Sequence, residues 1–447
     1  MIPVSTTDAP ALPGVPVLLP PPPPLDGFAA QEFALRRKTL RQSFPENVII
    51  LQGNVESPGS NVLPYRQNTT FFYFTGVDTP GAAMVLLPGG FSAATGVRGL
   101  QPDLQEFLFL PDRNATTETW TGPKLGPGAI TEGLTGFQKC LSAGSLWTAV
   151  TGWLKQCPRV ALMAPFGAGS NLTAEYQLLS RLRDIAPVAA FQDISAAVAS
   201  QRIIKSPAEL ERMERAASVT MAAQHAARSV VHNGGGRNEC EVEAAVMQAF
   251  YSRGAAAAFA PIVGSGERAT VLHYDQNNQP MTIGSTVVVD IGALLGHYCG
   301  DITRTYAVGG QWSPRQREIA ALVLASHHHV VDTFTLGQDT VETIAEKCKA
   351  FYRESPLRAA GADGTAETLD NFLPHGISHH LGMDVHDVHS AVNWTVPLQT
   401  GCIVTVEPGL YLPAECIGLR LENDYVITDK GMRSLAEPLS RDVDELA

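Results

Sequence analysis

The chain has 447 residues, more than one compact core usually holds, so we expect two domains. Apolar residues make up 45% and charged residues 17% of the sequence, which is typical of a globular enzyme. The formal net charge of −12 makes nucleic acid and anionic membranes unsuitable as main partners. No apolar run is long enough to cross a bilayer, so we expect no membrane-embedded segment.

The N-terminal 28 residues are rich in proline. Their apolar part is interrupted by proline, and they lack both the basic region of a signal peptide and the arginines of a transit peptide. We interpret residues 1–28 as an arm in an irregular or polyproline conformation. The seven cysteines are scattered and form no Cys-x-x-Cys pair, which favours reduced thiols in the cytoplasm over a disulfide framework or a zinc–thiolate site.

Residues 29–200 are predicted to form an α/β domain that begins with a helix at 31–44. Apolar runs of strand length, separated by Gly, Pro and Asn turns, predict the strands of this domain. These runs lie at 47–53, 71–77, 82–88, 106–111 and 160–165.

The second predicted domain covers residues 201–447 and begins with a long amphipathic helix. Ser206 and Pro207 suit the N-cap and the first helical position, and Glu209 lies in the first turn. The helix is expected to reach about Val231, where a glycine-rich loop follows.

After a second helix that begins at Glu239, the pattern changes to short strands interrupted by helices at 314–334 and 340–353. The strands are predicted at 258–266, 269–275, 285–298, 299–308, 401–412 and 418–429. This pattern indicates an α+β domain with a mostly antiparallel sheet covered by helices.

Four carboxylates and one histidine lie within or beside apolar strands, where burial of a polar group is costly. They are Asp290, Asp301, His379, Glu407 and Glu422. One buried carboxylate is commonly explained by an ion pair or a turn cap, but four that converge repel one another unless cations neutralise them. Two divalent ions carry the matching charge, and this ligand set suits Mn²⁺ best, with Co²⁺ or Zn²⁺ as substitutes. Such a pair can hold a bridging hydroxide and polarise a carbonyl.

Five segments of the second half carry these residues in an order that resembles a known family. They are 272–278 (LHYDQNN), 287–306, 373–387, 405–412 and 418–428. They are similar to segments of the M24 metallopeptidases, the family of methionine aminopeptidase, aminopeptidase P and prolidase. The resemblance implies that the second half is a catalytic domain of the pita-bread fold.

The first half resembles the creatinase-like N-terminal domain that aminopeptidase P and prolidase share. The similar segments are 65–88 and 118–126. Methionine aminopeptidases lack this domain, so the resemblance favours the proline-specific branch, whose substrate is a peptide with proline at the second position. It also implies self-association, as a homodimer or a homotetramer.

The family resemblance implies a role for each of the five ligand candidates. Asp290 would chelate one metal ion, and His379 and Glu407 the other. Asp301 and Glu422 would bridge the two ions. Glu407 would also carry a proton to and from the attacking water.

Three further histidines and one arginine receive roles from the same resemblance. His273 would hydrogen-bond the substrate or stabilise the developing oxyanion, and His386 would contact the region of the scissile carbonyl. His375 would line the pocket for proline. Arg420 precedes Glu422 by two residues, so both point to one face of a strand, and Arg420 would orient a ligand carboxylate at the substrate site.

Other polar residues receive structural interpretations. The run 327–329 consists of histidines in a helical segment, so its members point in different directions and cannot form one metal face. His380 and His389 carry no family role. Arg66 and Gln67 are explained equally well by a structural role in the first domain and by contact with a neighbouring subunit's active site.

The leading hypothesis is an Xaa-Pro aminopeptidase, and the alternative is an Xaa-Pro dipeptidase closed around the free carboxylate of its substrate. Aminopeptidase P relatives usually carry an arginine between the second pocket histidine and the first metal glutamate, but residues 388–406 contain no Lys or Arg. Peptide-length preference therefore stays open, although the shortness of this stretch favours aminopeptidase P. Because all five ligand positions are kept, a non-catalytic pita-bread module and a metal-free creatinase-type hydrolase are disfavoured.

Overall fold

The computed structural model divides the chain into two compact units, Met1–Val198 and Ala199–Ala447. It describes residues 27–56, 65–97, 99–163, 174–232, 238–388, 394–437 and 439–446. Nearly all of the predicted proline-rich arm, and most of the predicted glycine-rich loop after Val231, lie outside these residues.

The first unit is built around a six-stranded sheet. Its helices are α1 (Ala30–Ser43), α2 (Thr69–Thr75), α3 (Ala115–Thr121), α4 (Ala129–Thr135), α5 (Leu146–Leu154), α6 (Ala174–Ile185) and α7 (Ser195–Ile203), which includes the division between the units. Its strands are β1 (Val48–Gln52), β2 (Ala83–Leu86), β3 (Glu106–Leu110), β4 (Lys139–Ser142), β5 (Arg159–Leu162) and β6 (Ala190–Asp193). The order is β4-β3-β2-β1-β5-β6, with β2 antiparallel to both neighbours and the other pairs parallel.

The prediction of a strand at 71–77 is wrong, because this aromatic run forms α2. Asn68 caps the helix by accepting a hydrogen bond from the Phe71 amide at 2.9 Å, and Gly76 ends it with φ of 63°. Every residue of the helix after Thr69 is buried. A run buried on all sides has no alternation, so its periodicity cannot distinguish a helix from a strand.

The second unit combines four helices with small antiparallel sheets, among the residues that the structure describes. The helices are α8 (Pro207–His232), α9 (Glu239–Tyr251), α10 (Pro314–Asp332) and α11 (Val341–Glu354). The strands are β7 (Ala256–Ala257), β8 (Ile262–Ser265), β9 (Thr286–Ile291), β10 (Ala293–Leu295), β11 (Tyr298–Cys299), β12 (Ile302–Ala307), β13 (Arg358–Ala360), β14 (Ala366–Thr368), β15 (Ile403–Val406), β16 (Gly409–Leu412), β17 (Ile417–Arg420), β18 (Asn423–Thr428) and β19 (Gly431–Ser434). They pair as β12-β9-β8, β15-β18-β19, β11-β10-β7, β16-β17 and β13-β14.

The predicted start of α8 is confirmed by a reciprocal pair of hydrogen bonds. The Glu209 amide donates to Ser206 Oγ at 3.2 Å, and the Ser206 amide donates to Glu209 Oε2 at 3.0 Å. Farther along α8, the side-chain Nε2 of the buried Gln224 donates to the main-chain carbonyls of Val289 at 3.0 Å and Ile302 at 2.7 Å. Through these bonds α8 holds β9 and β12 in place.

The prediction of a strand at 269–275 is also wrong. Gly266–Thr270 forms a 3-10 helix, and the residues that follow run as a turn without strand pairing. Side-chain hydrogen bonds hold this segment in place of a strand ladder. None of the helices in the described ranges combines the length and apolarity needed to span a bilayer.

Candidate active site

Five strands of the second unit place the predicted carboxylates at neighbouring positions. Asp290 lies in β9 and pairs with Thr303 of β12, and Asp301 directly precedes β12. Glu407 follows β15, and Glu422 joins β17 to β18. The Glu422 amide donates to the Thr303 carbonyl at 3.1 Å, which ties the two sheets together at the site.

All nine predicted site residues line a single cavity of about 550 Å³. They are His273, Asp290, Asp301, His375, His379, His386, Glu407, Arg420 and Glu422. The remaining lining is largely apolar and includes Phe259, Leu272 and Trp394. A concave, mostly apolar site with a few convergent polar groups is typical of a small-molecule or peptide pocket.

The ligand candidates come closest around the His379 imidazole. Its Nε2 lies 3.6 Å from Asp301 Oδ2 and 3.5 Å from Glu407 Oε1. Asp301, His379 and Glu422 each offer a ligand atom, and these atoms lie within 4.8 Å of one another. His379 Nδ1 donates to the His380 carbonyl at 3.1 Å, so the Nε2 lone pair is directed at the carboxylates.

Asp290 completes the set with one satisfied and one unsatisfied oxygen. Arg420 donates to Asp290 Oδ2 at 2.6 Å. The other oxygen, Oδ1, is buried and has no hydrogen-bond partner in the described part of the chain. An unpartnered buried carboxylate oxygen is costly, which fits a position that a cation occupies.

The carboxylates strongly disfavour simultaneous ionisation. Burial raises the pKa of Asp301 well above its ordinary value, and the negative charges of Glu422 and Asp290 add to this shift. Burial also raises the pKa of Glu422, with the charges of Glu407 and Asp290 adding to it. The side chains therefore carry a repulsion that Arg420 offsets only in part and that divalent cations would remove.

Glu407 stands apart because the pKa of its carboxyl rises only to about 8. Burial is the main cause, and the charge of Asp290 acts in the same direction, whereas the charge of Arg420 opposes it. Thr405 Oγ1 donates to Glu407 Oε1 at 3.3 Å. In the metal-free site this carboxyl therefore titrates near neutral pH.

The imidazoles of His375 and His379 are kept neutral. Burial lowers the pKa of His379 to about 3 and that of His375 to about 4, and the Arg420 charge contributes to the second shift. His375 Nδ1 donates to the Gly376 carbonyl at 2.7 Å, and its Nε2 accepts from the Tyr411 hydroxyl at 2.9 Å. The His386 ring lies 4.3 Å from that of His379, between centroids.

Comparison with known proteins decides the family. Residues 211–429 match metallopeptidase family M24, and residues 33–162 match the N-terminal domain of aminopeptidase P. The Xaa-Pro aminopeptidase of Escherichia coli (strain K12) is 30% identical over 445 residues, covering 94% of this chain and 97% of that protein. The chain belongs to metallopeptidase family M24.

Two further relatives agree with this family. Intermediate cleaving peptidase 55, mitochondrial, of Arabidopsis thaliana is 29% identical, over 93% of this chain and 82% of that protein. The solved structure of proline aminopeptidase P II from Yersinia pestis superposes with a TM-score of 0.80 at 27% identity, covering 94% of this chain and 98% of that chain. This M24 metallopeptidase is a hydrolase with a pita-bread catalytic domain and an aminopeptidase P N-terminal domain, which confirms the predicted fold class.

Divalent metal ions are implied by family M24, and the residues present fit them. The directed lone pair of His379 and the unpartnered Oδ1 of Asp290 are the observations that support this fit. Carboxylate oxygens with one imidazole are suitable ligands for such ions.

Sequence reasoning missed residues that hold the candidate ligands in place. Thr303 Oγ1 donates to Glu422 Oε2 at 2.6 Å, and its position two residues after Asp301 was a signal that both share a strand face. The Tyr411 hydroxyl accepts from Arg420 at 2.7 Å while it donates to His375. No pattern in the sequence predicts these longer contacts.

The residues given structural interpretations lie apart from the cavity lining, within the described ranges. His327 is fully buried on α10, and its Nε2 lies 3.4 Å from the Tyr425 hydroxyl. Gln67 Oε1 accepts from the amides of Asn54 at 2.7 Å and Asn68 at 2.9 Å, which is a structural role in the first unit. His389 lies outside the described residues.

Proposed function

We propose that this M24 metallopeptidase is an Xaa-Pro aminopeptidase that hydrolyses the bond between an N-terminal residue and a following proline, using two divalent metal ions. The observation that carries the proposal is the gathering of Asp290, Asp301, His379, Glu407 and Glu422 on one cavity. The Escherichia coli relative that bears this activity in its name aligns over nearly its whole length.

Five side chains would hold the ions. We assign Asp290 to one ion, His379 and Glu407 to the other, and Asp301 and Glu422 to both. Four carboxylates carry the charge that two divalent cations neutralise, and Mn²⁺ suits the ligand set best, with Co²⁺ or Zn²⁺ as substitutes. When bound, the ions would supply the Lewis acidity that activates the attacking water and polarises the scissile carbonyl.

The chain's own residues move the proton and stabilise the developing charge. Glu407 accepts a proton from the attacking water on a carboxylate oxygen and passes it to the proline nitrogen as the peptide bond breaks. His273 and His386 contact the scissile region and stabilise the developing oxyanion. His375, held neutral, lines the proline pocket, and Arg420 fixes the Asp290 carboxylate toward the site.

The alternative is an Xaa-Pro dipeptidase, and one observation disfavours it. Binding the free carboxylate of a dipeptide is best served by an arginine or a lysine. Arg420 is the one such residue in the cavity lining that the structure describes, and it is committed to Asp290 and Tyr411. A longer peptide, which has no charged group beside the proline, fits this lining better.

A pair of substrates tests the choice. A tripeptide with proline in second place should lose its first residue, with a kcat/KM well above that for the matching Xaa-Pro dipeptide. Chromatographic detection of the freed amino acid measures both reactions. Activity on the dipeptide alone would favour the dipeptidase. If the metal-loaded protein cleaves neither substrate, the proposal is contradicted.

We also propose that the protein acts in the cytoplasm as a homodimer or homotetramer. The seven cysteines are all free thiols, which agrees with a reducing compartment. Light scattering coupled to size exclusion measures the assembly, and a monomer at working concentration would contradict this part. Fractionation of cells tests the location, since one relative is named as mitochondrial.

A further inference from the structure

Outside the nine predicted site residues, one buried carboxylate organises the segment that carries His273. Glu239 is the first residue of α9, and it is fully buried. Its two oxygens accept five hydrogen bonds, all from residues 265–279. A buried carboxylate with this many donors is a strong anchor for the chain that supplies them.

The five bonds are shared between both oxygens of Glu239. Oε1 accepts from the Ser265 amide at 2.9 Å, from Ser265 Oγ at 2.8 Å and from Arg268 Nε at 2.9 Å. Oε2 accepts from the Tyr274 hydroxyl at 2.9 Å and from the Gln279 amide at 3.0 Å. The donors therefore lie on both sides of His273 in the chain, and one of them is its direct neighbour.

The segment around His273 depends on such side-chain bonds because it has no strand ladder. The Glu239 amide also donates to the Gln279 carbonyl at 2.9 Å. Asn277, with φ of 47°, accepts from the Val263 amide at 2.9 Å and donates to Glu243 at 3.1 Å. The first turns of α9 thus fasten the segment, while His273 itself faces the cavity.

We propose that Glu239 is a positioning residue that sets His273 for catalysis. This inference rests on the proposed function, in which His273 contacts the reacting peptide. A shift of about 1 Å in a catalytic group can cost about 10²-fold in rate. The anchor at Glu239 suppresses such shifts without touching the substrate.

Glu239→Gln tests the anchor with little change in shape. An amide offers one acceptor oxygen and one NH₂ group, and in either orientation the NH₂ group faces at least one main-chain amide. Arg268 also loses its anionic partner. We expect kcat and kcat/KM to fall together by about 10- to 100-fold, with KM and bound metal unchanged, because the lost contact is one made in the transition state.

Glu241→Gln is the matched control. Glu241 lies on the same helix, two residues away, and is exposed to solvent. Its side chain accepts from the Asn238 amide at 3.1 Å, a bond that glutamine can keep. We expect its kinetic constants to equal those of the unchanged protein.

A double-mutant cycle separates positioning from a general structural role. In the His273→Ala background, Glu239→Gln should add less than about a twofold loss, because the group it positions is absent. Losses that multiply would overturn the inference, as would full activity of Glu239→Gln itself. If that variant does not fold, Tyr274→Phe, which removes one of the five bonds, runs the same cycle with the same criteria.

The cycle also shows which proposal fails. Full activity of His273→Ala would contradict the role of His273 within the proposed function. A strong loss in His273→Ala together with full activity of Glu239→Gln would overturn the positioning role alone.

Discussion

Two groups of buried carboxylates in the second unit face opposite electrostatic surroundings. Asp387 pairs with Arg202 and with Lys205, the latter at 3.0 Å, and these cations outweigh the effect of burial and lower the pKa of its carboxyl. Asp301 is equally buried, but burial and neighbouring carboxylates raise the pKa of its carboxyl. We call Asp387, Arg202 and Lys205 together the Asp387 ion cluster.

The difference teaches how this chain separates scaffold from site. The Asp387 ion cluster has its own cations, so its charges are balanced within the chain. It fixes Asp387, the direct neighbour of His386. The four cavity carboxylates have only Arg420 as a cationic partner among the described lining residues, so most of their negative charge needs a cation that the chain does not supply. Unbalanced buried charge of this kind is a marker of a functional site.

The largest expected effect concerns the cavity carboxylates and is that of Glu407→Gln. Glutamine cannot accept and return a proton, so kcat should fall by about 10²- to 10⁴-fold, while circular dichroism shows an intact fold. Steady-state assays on a proline tripeptide measure this loss. Turnover within tenfold of the unchanged protein would show that Glu407 is not the proton carrier.

The next effect concerns the Asp387 ion cluster and is that of Asp387→Asn. Lys205 then loses its carboxylate while it stays buried, which we expect to cost about 3 kcal/mol in the free energy of unfolding. Asp384→Asn is the matched control, since Asp384 pairs with the same Arg202 at 2.9 Å but its side chain is 41% exposed. Urea denaturation compares the two, and an equal loss in both would contradict the distinction.

Removal of metal should lower the stability of the folded protein through the cavity carboxylates and not through the Asp387 ion cluster. A divalent ion at 100 times its dissociation constant stabilises the folded state by about 2.7 kcal/mol, so chelation should lower the melting temperature and abolish activity. Adding Mn²⁺ back should restore both. In Asp301→Asn, which removes one ligand, the shift on chelation should shrink. A melting temperature independent of metal in the unchanged protein would refute the metal assignment.

The last effect is a pH dependence of the metal-free protein. The pKa of Glu407 is about 8 when folded and near 4.5 when unfolded, so between these values the folded state binds more protons. Stability of the chelated protein should therefore fall as pH rises from about 5 to 8. Denaturation midpoints across this range measure it, and a midpoint that rises with pH would contradict the raised pKa.

The sequence predicted the cavity lining better than the local structure around it. Asp290 and Glu407 were recognisable because each interrupts or follows an apolar strand, and all nine predicted residues line one cavity. The segments 71–77 and 269–275 were predicted wrongly. The first is buried on all sides and so has no periodicity, and the second is held by long-range bonds to Glu239 that no local pattern reveals.

The most direct test is an anomalous diffraction measurement on crystals of the protein soaked with Mn²⁺, recorded at the manganese absorption edge. We predict two peaks in the cavity, about 3.5–4 Å apart. Each peak should lie within bonding distance of the carboxylates, and one of the two should also lie within bonding distance of His379. A single peak elsewhere, or no peak among the five side chains, would contradict the two-metal peptidase.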